Sequence, residues 1–137
     1  MNEGWFGDNY YVLFAETEVK FKSQRYGVDT ALPGYSAIGL RDWADLVVRD
    51  RHGDVYSVPV VPIDLEYLSP CDLPDGTSLE SHSRFTGRVK WYVTPLIFGG
   101  DPKAEENVTW VSHEHHAELV VWWNQQYYTL KPGRPSA

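Results

Sequence analysis

One short segment contains the residue types that bind transition metals. His113-Glu114-His115-His116 places three imidazoles within one turn of a predicted helix. The zincin pattern requires a second histidine four positions after the first, and position 117 is alanine. A catalytic zinc ion would also need a third protein ligand, which would have to come from a distant loop. We therefore predict solvent-facing histidines at the start of a helix, with no metal or other cofactor, and keep a metal site as the alternative.

Aspartates beside an aromatic residue form the second candidate site. Asp42 and Asp45 flank Trp43 in a predicted loop, and Asp50 and Asp54 flank a predicted hairpin turn. Glycoside hydrolases place two carboxyl groups roughly 5 to 10 Å apart, but the spacing here singles out no pair. An aromatic ring surrounded by carboxylates also suits the binding of a basic protein. We therefore predict no catalytic residues and assign partner binding to these five residues.

Aromatic residues are abundant, with six Trp and nine Tyr in the chain. They could stack on sugar rings, anchor a protein interface, or fill the core of a small domain. We predict that most of them fill the core. Trp43 is the exception, because its predicted loop between two aspartates suits an anchor for a partner.

Length and composition favour a single domain. The chain has 137 residues, 42% of them hydrophobic, which is enough to bury about two-thirds of the unfolded surface in one core. We place the domain at residues 1–131 and predict a loose tail at 132–137. No secretory signal is recognisable, and no apolar run approaches the roughly 20 residues that cross a bilayer. These patterns predict a cytoplasmic protein that does not contact membranes.

The charge balance narrows the class of partner. Nineteen acidic and twelve basic residues give a formal net charge of −7. An acidic domain repels phosphate backbones, so we do not expect nucleic acid as a partner. A basic protein partner is favoured instead, although moderate negative charge also serves solubility alone.

The hydrophobic pattern predicts alternating strands and helices. A helix is expected at residues 16–26, a strand at 35–38, and a hairpin that pairs 45–50 with 55–61. Residues 63–85 read as a long loop with a short helix at 65–68. Strands are expected at 88–98 and 107–111. Ser112 is a good N-cap for a second, longer helix that ends near residue 128.

The N-terminal half resembles a known superfamily in the order of its motifs. Residues 4–62 contain Gly-Trp-Phe-Gly-Asp-Asn-Tyr, then Val-Leu-Phe, an amphipathic stretch, and Leu-Pro-Gly-Tyr-Ser-Ala-Ile-Gly, followed by the alternating strand that starts after Asp54. This order resembles the SMI1/KNR4-like proteins of the SUKH superfamily. The resemblance covers under half of the chain, and its motifs are signatures of a fold. It implies an immunity protein, because many bacterial members neutralise toxins delivered by neighbouring cells.

Together these features predict one α+β domain, with a mixed or antiparallel sheet of about five strands, a short N-terminal helix and a longer C-terminal helix. The expected function is a non-enzymatic immunity protein that binds a basic toxin domain, such as a nuclease, and blocks its active site. The alternative is a carbohydrate-binding or hydrolytic domain that uses Trp and Tyr platforms and an acid pair. A structural or regulatory interaction module is a third possibility.

Overall fold

Short apolar runs between turn residues form two antiparallel sheets. A computed structural model describes residues 1–130, so the predicted tail at 132–137 lies outside the described residues. The main sheet contains β1 (Asn2–Phe6), β2 (Asn9–Leu13), β3 (Ser36–Arg41), β4 (Asp45–Arg49), β5 (Val55–Pro59) and β6 (Ser69–Pro70), paired in chain order. A second sheet pairs β7 (Val89–Tyr92) with β8 (Val108–Val111). The predicted α+β class is confirmed, and the main sheet has six strands where about five were expected.

Helices form where the sequence supplies caps. They are α1 (Glu16–Arg25), α2 (Val28–Ala31) and α3 (His113–Leu130). Gly27 has a positive φ of 72° directly after the last turn of α1, a conformation that glycine adopts without steric cost. The Ser112 hydroxyl accepts a hydrogen bond from the backbone N–H of His115 at 3.1 Å, which confirms the predicted N-cap of α3.

Four short 3-10 turns lie in the connections. They are Leu65–Tyr67, Gly76–Ser78, Leu96–Phe98 and Glu105–Asn107. The first confirms the short helix predicted after β5. No helix within residues 1–130 is both long enough and apolar enough to cross a bilayer.

The central strand β4 is buried on both faces. Leu46 and Val48 belong to the main core, whereas Val47 packs with Val19 of α1 and Ile38 of β3 on the opposite face. Alternate residues of a strand point to opposite faces, so the continuous run Leu-Val-Val follows directly from this two-sided burial. The hairpin that joins β4 to β5 has the predicted pairing, and Pro59 ends β5 as its missing N–H requires.

The strand β1 and the loop contact that it makes are not recognisable from local sequence. Residues 2–6 form β1, which pairs with β2, although they carry no clear alternation of apolar and polar residues. The loop before β7 then folds back across β1, where Trp5 and Glu80 exchange two backbone hydrogen bonds of 2.8 and 2.9 Å. The first pairing is hidden because residues 2–6 have a weak hydrophobic pattern, and the second because Trp5 and Glu80 are far apart in the chain.

Candidate functional site

The turn between β3 and β4 holds the first three predicted site residues in a fixed shape. Asp42 and Trp43 both have positive φ, of 50° and 60°. Such a backbone is uncommon for residues other than glycine, and it persists only when neighbouring contacts hold it. Here Asp42 donates its N–H to the Tyr10 carbonyl at 2.7 Å, and its Oδ1 accepts the Tyr10 N–H at 2.9 Å. These two bonds fasten the turn to β2.

Trp43 is a buried residue, so the prediction of an aromatic side chain available in a loop is wrong. Only 7% of its surface is exposed. Its ring stacks on Tyr10 with centroids 4.6 Å apart, and Trp5, Phe85 and Trp110 surround it at 5.1 to 6.2 Å. All four neighbours lie far from Trp43 in sequence, which is why local sequence does not reveal the burial.

A buried carboxylate, Glu3, connects the aromatic rings around Trp43 to the loop that precedes β7, here called the covering loop. Glu3 accepts the Tyr10 hydroxyl at 2.8 Å through one oxygen and the Gly87 N–H at 3.0 Å through the other. Burial, with the hydrogen bond to Glu3, raises the pKa of the Tyr10 hydroxyl far above its ordinary value. Tyr10 therefore stays protonated and donates to Glu3 at every physiological pH.

An apolar groove opens beside this turn. It has a volume of about 470 Å³, within the range of ordinary ligand sites. Its walls come from the β3–β4 turn, the end of β5 with the chain that follows it, β7, and the 3-10 turn after β7. The lining residues are Asp42, Trp43, Ala44, Asp45, Pro59, Val60, Val61, Pro62, Tyr67, Lys90, Trp91, Tyr92, Pro95, Leu96 and Ile97. Most of these side chains are hydrophobic, so the groove favours an apolar occupant.

The rim of the groove exposes apolar side chains. Tyr67, Leu96 and Ile97 are 40%, 48% and 45% exposed, although each lines the groove. Scattered exposed apolar residues are normal on a protein surface, but these three line the same apolar groove and so make up an apolar patch at its rim. Such a patch is typical of a surface that binds another molecule. The prediction of one strand over residues 88–98 is wrong in its second half, because β7 ends at Tyr92 and the Pro-Leu-Ile-Phe run forms the 3-10 turn Leu96–Phe98 at this rim.

Helix α3 holds one wall of the groove from behind. The buried Asn124 side chain accepts the Ile63 N–H at 2.7 Å and donates to the Val60 carbonyl at 2.7 Å and the Val120 carbonyl at 2.8 Å. Tyr128 donates its hydroxyl to the Ile63 carbonyl at 2.7 Å. The Val60 N–H bonds to the Ala44 carbonyl at 2.9 Å, and the side-chain bonds from α3 satisfy the Val60 carbonyl and both backbone groups of Ile63. Together they fix this segment in the wall.

The carboxylates at the groove differ in their electrostatic surroundings. Asp45 forms an ion pair with Arg41, with an N to O distance of 3.3 Å. Asp42 forms no ion pair with any residue in the described range 1–130. Lys90 lies 5.4 Å from the ring centroid of Tyr92, a cation–π contact. Within residues 1–130, Asp42 is therefore the carboxylate at the groove that forms no ion pair, although Lys90 lines the same groove.

The other two predicted site residues lie at the opposite end of β4. Asp50 accepts the backbone N–H groups of His52 and Asp54 at 2.9 Å each, so its carboxylate shapes the β4–β5 turn. Asp54 is exposed in the same turn. The strand between the two turns has five residues and is roughly 17 Å long. The structure thus brings Asp42, Trp43 and Asp45 together at the groove and leaves Asp50 and Asp54 in a separate place.

The histidine segment at the start of α3 is mostly buried, so the prediction of solvent-facing histidines is wrong for two of its three members. His116 is fully buried, and its Nδ1 lies 2.7 Å from the Tyr26 hydroxyl. His113 is half-buried with both ring nitrogens enclosed, and His115 alone is exposed. Within the part of the chain that the structure describes, no three His, Cys, Asp or Glu side chains are arranged to hold a metal ion.

Burial also changes the chemistry of these histidines. Desolvation, with the nearby charges of His113 and Lys22, lowers the pKa of His116 to about 3. Burial lowers the pKa of His113 as well. Both rings are therefore neutral at physiological pH and act as packing groups, with Tyr26 and Trp91 against the His116 ring at 5.4 and 5.5 Å.

Comparison with known proteins adds no relative to this picture. No family model, no characterised protein and no solved structure matches the chain. The groove and its charges are therefore interpreted from their own geometry.

Proposed function

We propose that this chain is a non-enzymatic immunity protein that acts in the cytoplasm, binds a basic toxin domain and blocks its active site. The observation that carries the proposal is the pairing of an apolar groove and exposed apolar rim with the carboxylate of Asp42, which forms no ion pair within residues 1–130. A desolvated apolar patch supplies affinity, and charge beside it supplies orientation and rate. The resemblance of residues 4–62 to SMI1/KNR4-like proteins supports the same function.

Steering and holding would come from different residues. The net charge of −7 attracts a basic partner over distances of a Debye length, and Asp42 focuses that attraction at the groove. Leu96 and Ile97 would then be covered by the partner and lose contact with water. Trp43 would contribute to binding only indirectly, because its buried ring holds the β3–β4 turn, and with it Asp42, in position.

The alternative of a carbohydrate-binding domain has less support. Sugar platforms need an open aromatic face, and the two tryptophans of the groove, Trp43 and Trp91, are only 7% and 5% exposed. Trp122 is the most exposed tryptophan of the described residues, and it lies on α3 away from the groove lining.

The proposal predicts a toxin gene beside the gene for this protein, and the toxin encoded there provides the test of function. We expect co-expression of the chain to restore growth of bacteria that express the product of the neighbouring toxin gene, and we expect the two purified proteins to bind. The control is co-expression with a toxin from an unrelated gene cluster. Continued toxicity without a complex between the purified proteins would contradict the proposal.

Removing the charge of Asp42 should slow association. In Asp42→Asn, the amide oxygen can still accept the Tyr10 N–H, and asparagine tolerates the positive φ, so the turn should keep its shape. We expect an association rate about threefold lower at low salt, with the difference fading as salt is added. Stopped-flow mixing with the partner measures this rate.

The matched control is Asp54→Asn, which removes the same charge from the opposite end of β4. Its effect on the association rate should be clearly smaller. Equal slowing by the two variants would mean that only the net charge matters, and the groove would then have no special part in steering.

A further inference from the structure

We infer that the groove takes an extended segment of the partner in which an aliphatic residue stands directly beside an arginine or lysine. This inference rests on the proposed function, because it names the part of the partner that the same site recognises. Its evidence is the distribution of apolar surface and charge around the groove.

The walls select an aliphatic side chain. Val60, Val61, Leu96 and Ile97 line the groove together with three prolines, and the side chains of these residues offer no hydrogen bond to an occupant. A polar side chain placed there would lose its water without compensation, at a cost of roughly 1–3 kcal/mol. An aliphatic side chain gains instead from leaving water, by roughly 1.5–3 kcal/mol when it is fully buried.

The end of the groove at the β3–β4 turn selects a positive charge. Asp42 lies in this turn and Asp45 starts β4 directly after it, and of the two only Asp45 forms an ion pair within residues 1–130, with Arg41 at 3.3 Å. Lys90 lines the same groove, and its ammonium group lies 5.4 Å from the ring centroid of Tyr92. A guanidinium or ammonium group that approached Asp42 would form a charge-assisted hydrogen bond, which is about twice as strong as a neutral one. The occupant should therefore place its cation next to its apolar side chain.

The exposed rim indicates a macromolecular occupant. Apolar surface continues from the groove onto Tyr67, Leu96 and Ile97, each at least 40% exposed. A small molecule held inside the cavity would leave this rim in water. A polypeptide segment that enters the groove also covers the rim with its flanking residues, so a protein partner uses the whole apolar surface.

Trp43 provides a reporter for the occupied groove. It lines the groove, and its indole N–H has no hydrogen-bond partner within residues 1–130. An indole N–H gives a separate NMR resonance that responds to a change in its surroundings. Occupation of the groove should shift this resonance, whereas binding elsewhere should leave it in place.

Three blocked hexapeptides test the inference. Gly-Gly-Leu-Arg-Gly-Gly contains both features, Gly-Gly-Leu-Glu-Gly-Gly reverses the charge, and Gly-Gly-Gly-Arg-Gly-Gly removes the apolar side chain. Titrated to millimolar concentration, the Leu-Arg peptide should shift the Trp43 indole and the backbone resonances of Leu96 and Ile97, with at least about tenfold weaker responses to the other two. Equal responses to all three peptides, or shifts confined to another surface, would overturn the inference. No response to any peptide would overturn it as well.

Two variants test the roles assigned to the carboxylate of Asp42 and to the apolar rim. Asp42→Asn should weaken the binding of the Leu-Arg peptide. The weak response to the Leu-Glu peptide should stay unchanged or become stronger. Ile97→Lys should abolish the response to the Leu-Arg peptide. Ile97 is 45% exposed, so this substitution should leave the fold intact, and the dispersion of the remaining resonances verifies that it does.

The inference and the proposed function fail in distinguishable ways. A peptide that binds as expected, together with a neighbouring toxin that does not bind, would leave the groove specificity standing and remove the immunity function. A toxin that binds tightly and equally to wild type, Asp42→Asn and Ile97→Lys would leave the function standing and remove the groove from the interface.

Discussion

Acidification from neutral pH is expected to destabilise this protein before its carboxylates begin to titrate. His116 has a pKa of about 3 in the folded protein and an ordinary value of 6.5 when unfolded. Below pH 6.5 the His116 ring is therefore protonated in the unfolded state but stays neutral in the folded state. The stability from the neutral ring is fully present above the unfolded pKa and is lost as the pH falls toward the folded one. Over the whole window the loss from His116 is on the order of 4 kcal/mol.

Urea denaturation at a series of pH values measures this effect. About 2 kcal/mol should be lost already by about pH 5, where the exposed carboxylates are still ionised. His113, whose pKa burial also lowers, adds to the slope in the same direction. In His116→Gln the free energy of unfolding should depend less on pH, even if the variant is less stable overall. His115→Gln, at an exposed position, should leave the pH dependence unchanged. A wild-type stability that stays constant between neutral pH and about pH 5 would contradict the burial of a neutral His116.

Asn124→Ala is expected to lower the free energy of unfolding by about 3 kcal/mol. The substitution leaves the Ile63 N–H and the Val60 carbonyl without partners in a buried place, and each orphaned group costs roughly 1–3 kcal/mol. The midpoint of urea unfolding should fall with an unchanged slope, because the folded state is weakened and no new surface is exposed on unfolding.

The matched control is Gln125→Ala on the exposed side of the same helix. It should change stability by no more than about 0.5 kcal/mol. The Asn124→Ala protein should also bind the partner less well, because the wall around Val60 loses its hydrogen bonds to Asn124 and keeps, among the bonds from α3 to Val60 and Ile63, the one from Tyr128 to the Ile63 carbonyl. A stability within about 1 kcal/mol of wild type would show that the segment after β5 is held by other contacts.

Local patterns predict the elements whose contacts are local. The β4–β5 hairpin follows from the turn chemistry of Arg-His-Gly-Asp between two strand-like runs, and the cap of α3 follows from Ser112. Glycine after α1 marks the end of that helix. Each of these features depends on residues within a few positions of one another, so the sequence alone is sufficient.

Burial at the site depends on contacts that no local pattern contains. Trp43 is enclosed by Trp5 on β1, Phe85 in the covering loop and Trp110 on β8. None of these contacts follows from spacing along the chain. The acidic neighbours of Trp43 suggested an exposed loop, whereas its ring is packed inward and only 7% of its surface is exposed, although it still lines the groove beside the two carboxylates.

The buried polar residues of α3 left a signal that periodicity could have revealed. His116 shares the helical stripe of Val120, and Asn124 follows Val120 by one turn, so both fall on the apolar face. A polar side chain that is buried on such a stripe is almost always hydrogen-bonded. The partners themselves, Tyr26 for His116 and the backbone after β5 for Asn124, could not be predicted, because they lie on distant elements.

The affinity of the purified partner for a groove variant tests the central claim most directly. Ile97→Lys places a positive charge on the apolar rim that a basic partner is proposed to cover, and Phe21→Lys places the same charge on an exposed apolar position of α1. We predict that Ile97→Lys raises the dissociation constant about 100-fold or more, and that Phe21→Lys raises it less than about threefold. Equal dissociation constants for the two variants would contradict the account, because the groove would then lie outside the interface.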